Sequence, residues 1–127
     1  MTAPAEGTGS TAGPLAAPTR ADAGLRIDVS QAGGVAAVSL HGALDIATVP
    51  TFDQRVDALR RDGHRAVRID LRDLDFIDSH GLGALLRAWR EWRAPDHAIE
   101  VVGPRHPQVV RVFAISGADD ELRFTPA

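Results

Sequence analysis

The chain predicts an α/β fold: a small, mostly parallel sheet with an N-terminal antiparallel hairpin and packed helices. Three observations carry this. Leu25–Gln31 and Val35–Leu40 alternate apolar and polar residues on either side of Ala32-Gly33-Gly34, the pattern of two strands joined by a turn. Ala66–Leu71 alternates again, with Val67, Ile69 and Leu71 set against Arg68 and Asp70. The stretches between and after these strands place apolar residues at helical spacing. A strand, helix, strand order implies a parallel pair with a right-handed crossover.

Taken in order, Met1–Gly24 is rich in Ala, Gly, Thr and Pro, with Leu15 its only large apolar residue after Met1. Such a segment buries too little surface to offset the entropy of ordering, so 1–24 is expected to be a disordered tail and 25–127 the domain. After the hairpin, His41-Gly42-Ala43-Leu44-Asp45 is expected to leave the sheet, with Asp45 as a turn or cap residue. Thr48 can cap a helix in which Pro50 is tolerated in the first turn. Val49, Phe52, Val56 and Leu59 form its buried stripe through to Arg61, and Gly63 suits a left-handed stop. A second helix is expected from His80 to Trp92 or Arg93, with Leu82, Leu85, Leu86 and Trp89 on one face, ended by Pro95-Asp96. Ala98–Val102 reads as a strand. Pro107–Ile115 reads as a helix facing inward through Val109, Val112 and Phe113. Leu122–Phe124 reads as a short last strand.

Composition narrows the function. At 127 residues this is one domain. There is no cysteine, which removes disulfides and thiolate chemistry. A net charge of −3 gives no reason to expect nucleic acid or an anionic membrane as partner. The apolar runs fall far short of the ~20 residues that span a bilayer, and the N-terminus lacks a basic and apolar leader pattern. A cytoplasmic protein is expected.

The stretch that organises the chain is Phe76-Ile77-Asp78-Ser79-His80-Gly81-Leu82-Gly83, between a strand and a helix. Phe76 and Ile77 are expected to enter the core. Asp78 and Ser79 fall at the helix start, and both are preferred capping types. A hydroxyl at the positive end of a helix, with glycines beside it, is well placed to carry a phosphate. On residue type alone Ser79 reads first as a cap. Gly81 would allow close approach of a loop or partner, and Gly83 would allow helix–sheet packing. Asp78-Ser79-His80 holds the residue types of a hydrolase triad, but neighbours at a helix start point in different directions and cannot align. The glycines match no nucleotide-binding loop, and no lysine exists to serve a phosphate. The five histidines show no ligand spacing, so no metal or other cofactor is expected. Arg87, Arg90 and Arg93 read as a solvated face, and Trp92 either packs under the next loop or anchors an interface.

This stretch resembles the signature of STAS domains, specifically the bacterial anti-sigma factor antagonists. Their hallmark is a buried strand, an apolar pair, then Asp-Ser-small-Gly-Leu-Gly opening a helix. In that family the serine after the aspartate is the regulatory phosphorylation site, and it maps onto Ser79. The following small residue is replaced here by His80. The family's Gly-Glu-Leu-Asp loop maps onto Gly42, Leu44 and Asp45, with Ala43 in place of the Glu, and this implies that Asp45 borders the serine. The resemblance implies a binding module and not an enzyme. The unphosphorylated protein would bind an anti-sigma factor, itself a serine kinase, and so release a sigma factor. Phosphorylation of Ser79 would switch it off, and a serine phosphatase would reverse this. Asp45, Asp78, Ser79, His80 and Gly81 are the implied partner-binding residues. The alternative is a STAS scaffold or ligand-sensing module in a regulatory assembly, without phosphorylation. The family commonly has one more helix after the last strand. Its lack of room here implies an uncovered edge or face, suited to a weak homo-oligomer.

Overall fold

A computed structural model describes residues 19–21 and 24–126. The elements run β1 (Thr19–Ala21), β2 (Leu25–Ala32), β3 (Val35–Leu44), α1 (Val49–Arg61), β4 (Ala66–Asp70), β5 (Leu74–Ile77), α2 (Ser79–Glu91), β6 (Ala98–Val102), α3 (Pro107–Ser116), a single 3-10 turn (Ala118–Asp120) and β7 (Phe124–Thr125). The sheet order is β1-β2-β3-β4-β6-β7, with β5 paired to the far end of β3. β1 to β2 and β2 to β3 are antiparallel. All other pairs are parallel, as strand, helix, strand connections require. The α/β expectation with its N-terminal hairpin therefore holds.

Register explains the core. Ile27 opposes Leu40, Val29 opposes Val38, Ala36 opposes Val67, and Val38 opposes Ile69, so one sheet face is continuously apolar. Phe52, Val56 and Leu59 of α1, Leu82, Leu85 and Trp89 of α2, and Val109 and Phe113 of α3 join the same buried cluster. The alternate rows put Ser39 opposite both Asp28 and Asp70, and Arg68 opposite Glu100. That face carries ion pairs such as Arg68–Glu100 at 2.9 Å and Arg72–Asp70 at 2.7 Å. This is the one-sided burial that strict alternation encodes.

Several local expectations change. Thr19–Ala21 falls inside the segment expected as a tail, yet it pairs with Leu25–Ile27. A backbone ladder needs no large apolar side chain. The rest of that expectation, apart from Gly24, lies outside the described residues. The chain does not leave the sheet at His41, because β3 runs on to Leu44. It is held there by β5, a strand that Asp73, Asp75 and the lack of strict alternation conceal. A register shift between Gly42 and Ala43 breaks the period of two, so Leu74 and Ile77 are buried while Phe76 turns outward at 41% exposure. Phe76 therefore does not enter the core with Ile77. Thr48 does not cap α1 with its side chain. Its buried hydroxyl instead donates to the Ala43 carbonyl at 2.9 Å. The last strand begins at Phe124, and Leu122 is a core residue.

Arg87 and Arg90 of α2, and Trp92 and Arg93 just after it, find partners within the chain. Trp92 is fully buried and meets the His97 ring edge-on, so it packs under the following loop. Arg87 pairs with Asp53 of α1 at 3.1 Å. Arg90 makes two bonds to Glu121, at 2.6 and 2.7 Å. Arg93 lies over the Trp89 ring, 5.1 Å from its centre.

Candidate functional site at the start of helix α2

The parallel strands β3 and β5 end side by side, and their last residues lead to the two segments that form the site. Asp78 follows β5 in extended conformation and is the N-cap of α2. Its Oδ1 accepts a hydrogen bond from the Gly81 N–H at 2.9 Å. Its Oδ2 accepts from the Ile46 N–H, beyond the end of β3, at 3.2 Å. One carboxylate thus closes the first turn of the helix and ties the neighbouring loop to it.

Ser79 is therefore the first residue of the helix and not its cap. The residue is exposed, and among the described residues its hydroxyl has no hydrogen-bond partner. The N–H groups of a first turn lack intrahelical acceptors and carry the positive end of the helix dipole. Asp78 takes the one from Gly81, leaving those of Ser79 and His80 at the mouth. An anion on the Ser79 hydroxyl would sit in that field. His80 is also outward, with its Nδ1 3.9 Å from Asp78 Oδ2.

Gly81 is buried, and a Cβ there would run into the Leu44 carbonyl. Its missing side chain allows the helix mouth to meet the end of β3, a loop-side approach rather than a role in chemistry. Gly83 is different. A Cβ there would meet only the tip of Arg87, at 3.8 Å, so helix–sheet packing does not demand glycine at this position. Asp45 spends Oδ1 on its own turn, accepting from the N–H groups of Ala47 at 3.0 Å and Thr48 at 3.1 Å. It shapes the loop that Asp78 holds through Ile46.

All five residues expected at the site, Asp45, Asp78, Ser79, His80 and Gly81, thus fall on two adjoining segments. Two residues were not foreseen. Ile46 is 63% exposed on the loop beside Asp78. Gln108 of α3 grips the backbone of Ile77 from the other side. Neither carries a local signal, because both matter through partners more than 30 positions away. Among the described residues no three His, Cys, Asp or Glu side chains come together as a metal site, and no helix is long and apolar enough to cross a membrane.

Comparison with known proteins decides the family. The family model described as "Mlab, STAS domain" matches residues 19–124. The chain belongs to the STAS domain family. Among curated STAS relatives, an anti-sigma-B factor antagonist of Staphylococcus aureus is 29% identical over 83 residues, covering 65% of this chain and 76% of the relative. Among solved structures, an anti-sigma factor antagonist from Mycobacterium paratuberculosis has a TM-score of 0.73 at 28% identity, covering 86% of this chain and 92% of its own. SpoIIAA, an anti-sigma factor antagonist solved in its unphosphorylated form, shares the fold with a TM-score of 0.64 at 23% identity, over 78% of this chain and 87% of its own. In this STAS domain Ser79 is the first residue of α2 and is exposed.

Proposed function

We propose that this STAS domain is an anti-sigma factor antagonist switched by phosphorylation of Ser79. The observation that carries the reading is the division of labour at the mouth of α2. Asp78 does the capping, so the Ser79 hydroxyl is exposed and uncommitted at the positive end of a helix. The names of the relatives support the anti-sigma factor antagonist part of this reading.

The unphosphorylated protein binds an anti-sigma factor that is also a serine kinase, and a sigma factor is released. The exposed Ile46 and Phe76, on the segments flanking Ser79, supply apolar contact, with Asp45, Asp78, His80 and Gly81 around them. The kinase then transfers a phosphoryl group from its own ATP to Ser79. The phosphate adds roughly −1.5 to −2 charges beside Asp78. The helix dipole accommodates that charge, so the fold stays as it is, while a docked partner meets new charge and bulk. A serine phosphatase restores the binding form. In this reading the protein is a substrate and a binding module in the cytoplasm, not a catalyst.

The test is affinity capture from the native host with wild-type and Ser79→Asp proteins as paired baits. Capture of an anti-sigma factor kinase by wild type alone supports the switch. Capture of the same partners by both baits would sink it and leave a STAS scaffold that works without phosphorylation.

A further inference from the structure

Among the described residues β5 pairs with β3 only. Its other edge would leave the Ile77 N–H and C=O without a strand partner. Gln108 fills that place. Its Oε1 accepts from the Ile77 N–H at 3.0 Å, and its Nε2 donates to the Ile77 carbonyl at 2.9 Å. A carboxamide presents a donor and an acceptor side by side, as the N–H and C=O of a single strand residue do, so this side chain stands in for a neighbouring strand. The pair satisfies two half-buried backbone groups and blocks strand addition at that edge.

Ile77 directly precedes Asp78. Whatever fixes the Ile77 peptide fixes the direction from which Asp78 reaches Gly81 and Ile46. Gln108 is itself held. It lies in the first turn of α3, its own N–H donates to the His106 ring at 3.2 Å, and the next residue, Val109, is fully buried. At the other end, Arg90 of α2 bonds Glu121, just beyond α3. The segment from α3 to Glu121 is thus fastened at both ends of α2, by the Gln108 carboxamide near the mouth and by this ion pair near the last turn.

We propose that Gln108 is a positioning residue for the Ser79 site, setting the geometry of the α2 mouth through the Ile77 backbone. The inference deepens the phospho-switch reading and takes its regulatory meaning from it. A change in the seating of α3 would reach the phosphoacceptor turn through this carboxamide.

Two measurements on the full chain test it. The first is amide hydrogen exchange by NMR in wild type, Gln108→Met, Gln108→Asn and Val56→Ala. Met matches the length of Gln but offers neither bond, Asn keeps the carboxamide but falls short, and Val56→Ala is a core truncation on α1 that controls for general destabilisation. In the Met and Asn variants the N–H groups of Ile46 and Gly81, which among the described residues bond only to Asp78, should exchange about tenfold faster relative to the rest of α2. Val56→Ala should leave that ratio unchanged. Unchanged Ile46 and Gly81 exchange in both Gln108 variants overturns the positioning role, whatever Ser79 does in the cell. The second places phosphoserine at position 79 and follows the second phosphate ionisation by 31P NMR. In Gln108→Met this ionisation should move toward its value in an unstructured phosphoserine peptide, while in Val56→Ala it should not. Equal movement in both variants would mean a structural role alone.

Discussion

The Asp78 carboxylate accepts a hydrogen bond from the Ile46 N–H at 3.2 Å, joining residues 32 positions apart in the chain. Its other oxygen holds Gly81 at 2.9 Å. The capping residue of α2 is therefore also the tie between the two segments that form the candidate site, and this frees Ser79 from any structural duty.

Asp78→Ala should destabilise the domain by about 1–2 kcal/mol, the upper range for losing a cap, since the Ile46 bond goes with it. Asp78→Asn keeps one acceptor oxygen and should retain the Gly81 bond in preference to the Ile46 bond. Urea denaturation gives the first value. Exchange of the Ile46 N–H reads the second.

Ser79→Ala should change stability by less than about 0.5 kcal/mol, because an exposed hydroxyl without a partner contributes little. Thermal unfolding checks this. A loss comparable to that of Asp78→Ala would return Ser79 to the role of a cap.

The two glycines should respond in opposite directions. Gly81→Ala forces a methyl into the Leu44 carbonyl, a backbone group that cannot rotate away, and should cost about 3 kcal/mol or more. Gly83→Ala meets only the flexible end of Arg87 and should stabilise the helix by about 0.5–1 kcal/mol. Paired denaturation curves decide it.

Asp70 links stability to pH. The hydrogen bond from the Arg72 side chain holds its carboxyl below the usual range, against partial desolvation that pushes it up. A depressed folded pKa contributes stability that is present above the unfolded value of about 3.9 and is lost as pH falls through the folded value. Arg72→Ala should therefore be slightly less stable than wild type near neutrality, the effect being kept small by the exposure of the pair. The two proteins should converge below that window, as acid titration of the unfolding midpoint will show.

The legible parts of this protein were those encoded by close neighbours. Alternation in Leu25–Gln31, Val35–Leu40 and Ala66–Leu71 marked strands, and the stripe of Leu82, Leu85 and Trp89 marked the face of α2. Asp78-Ser79 marked where that helix starts. β5 carries no such mark, because its burial departs from a period of two where the pairing with β3 shifts register. The same shift turns Phe76 outward, against the expectation that it enters the core.

By itself the sequence determined every strand and α-helix but β1 and β5, their order and the motif at the helix start, because periodicity and capping depend on residues within about one turn or one pleat. Only the tertiary structure decided that Asp78, not Ser79, caps the helix, that Gly81 makes room for Leu44, and that Ile46 and Gln108 flank the mouth. The contacts of Gly81 with Leu44, of Ile46 with Asp78 and of Gln108 with Ile77 join residues 31 to 37 positions apart. They arise because β3, β5 and α3 are brought together by burial of a common core, and no local pattern carries that information.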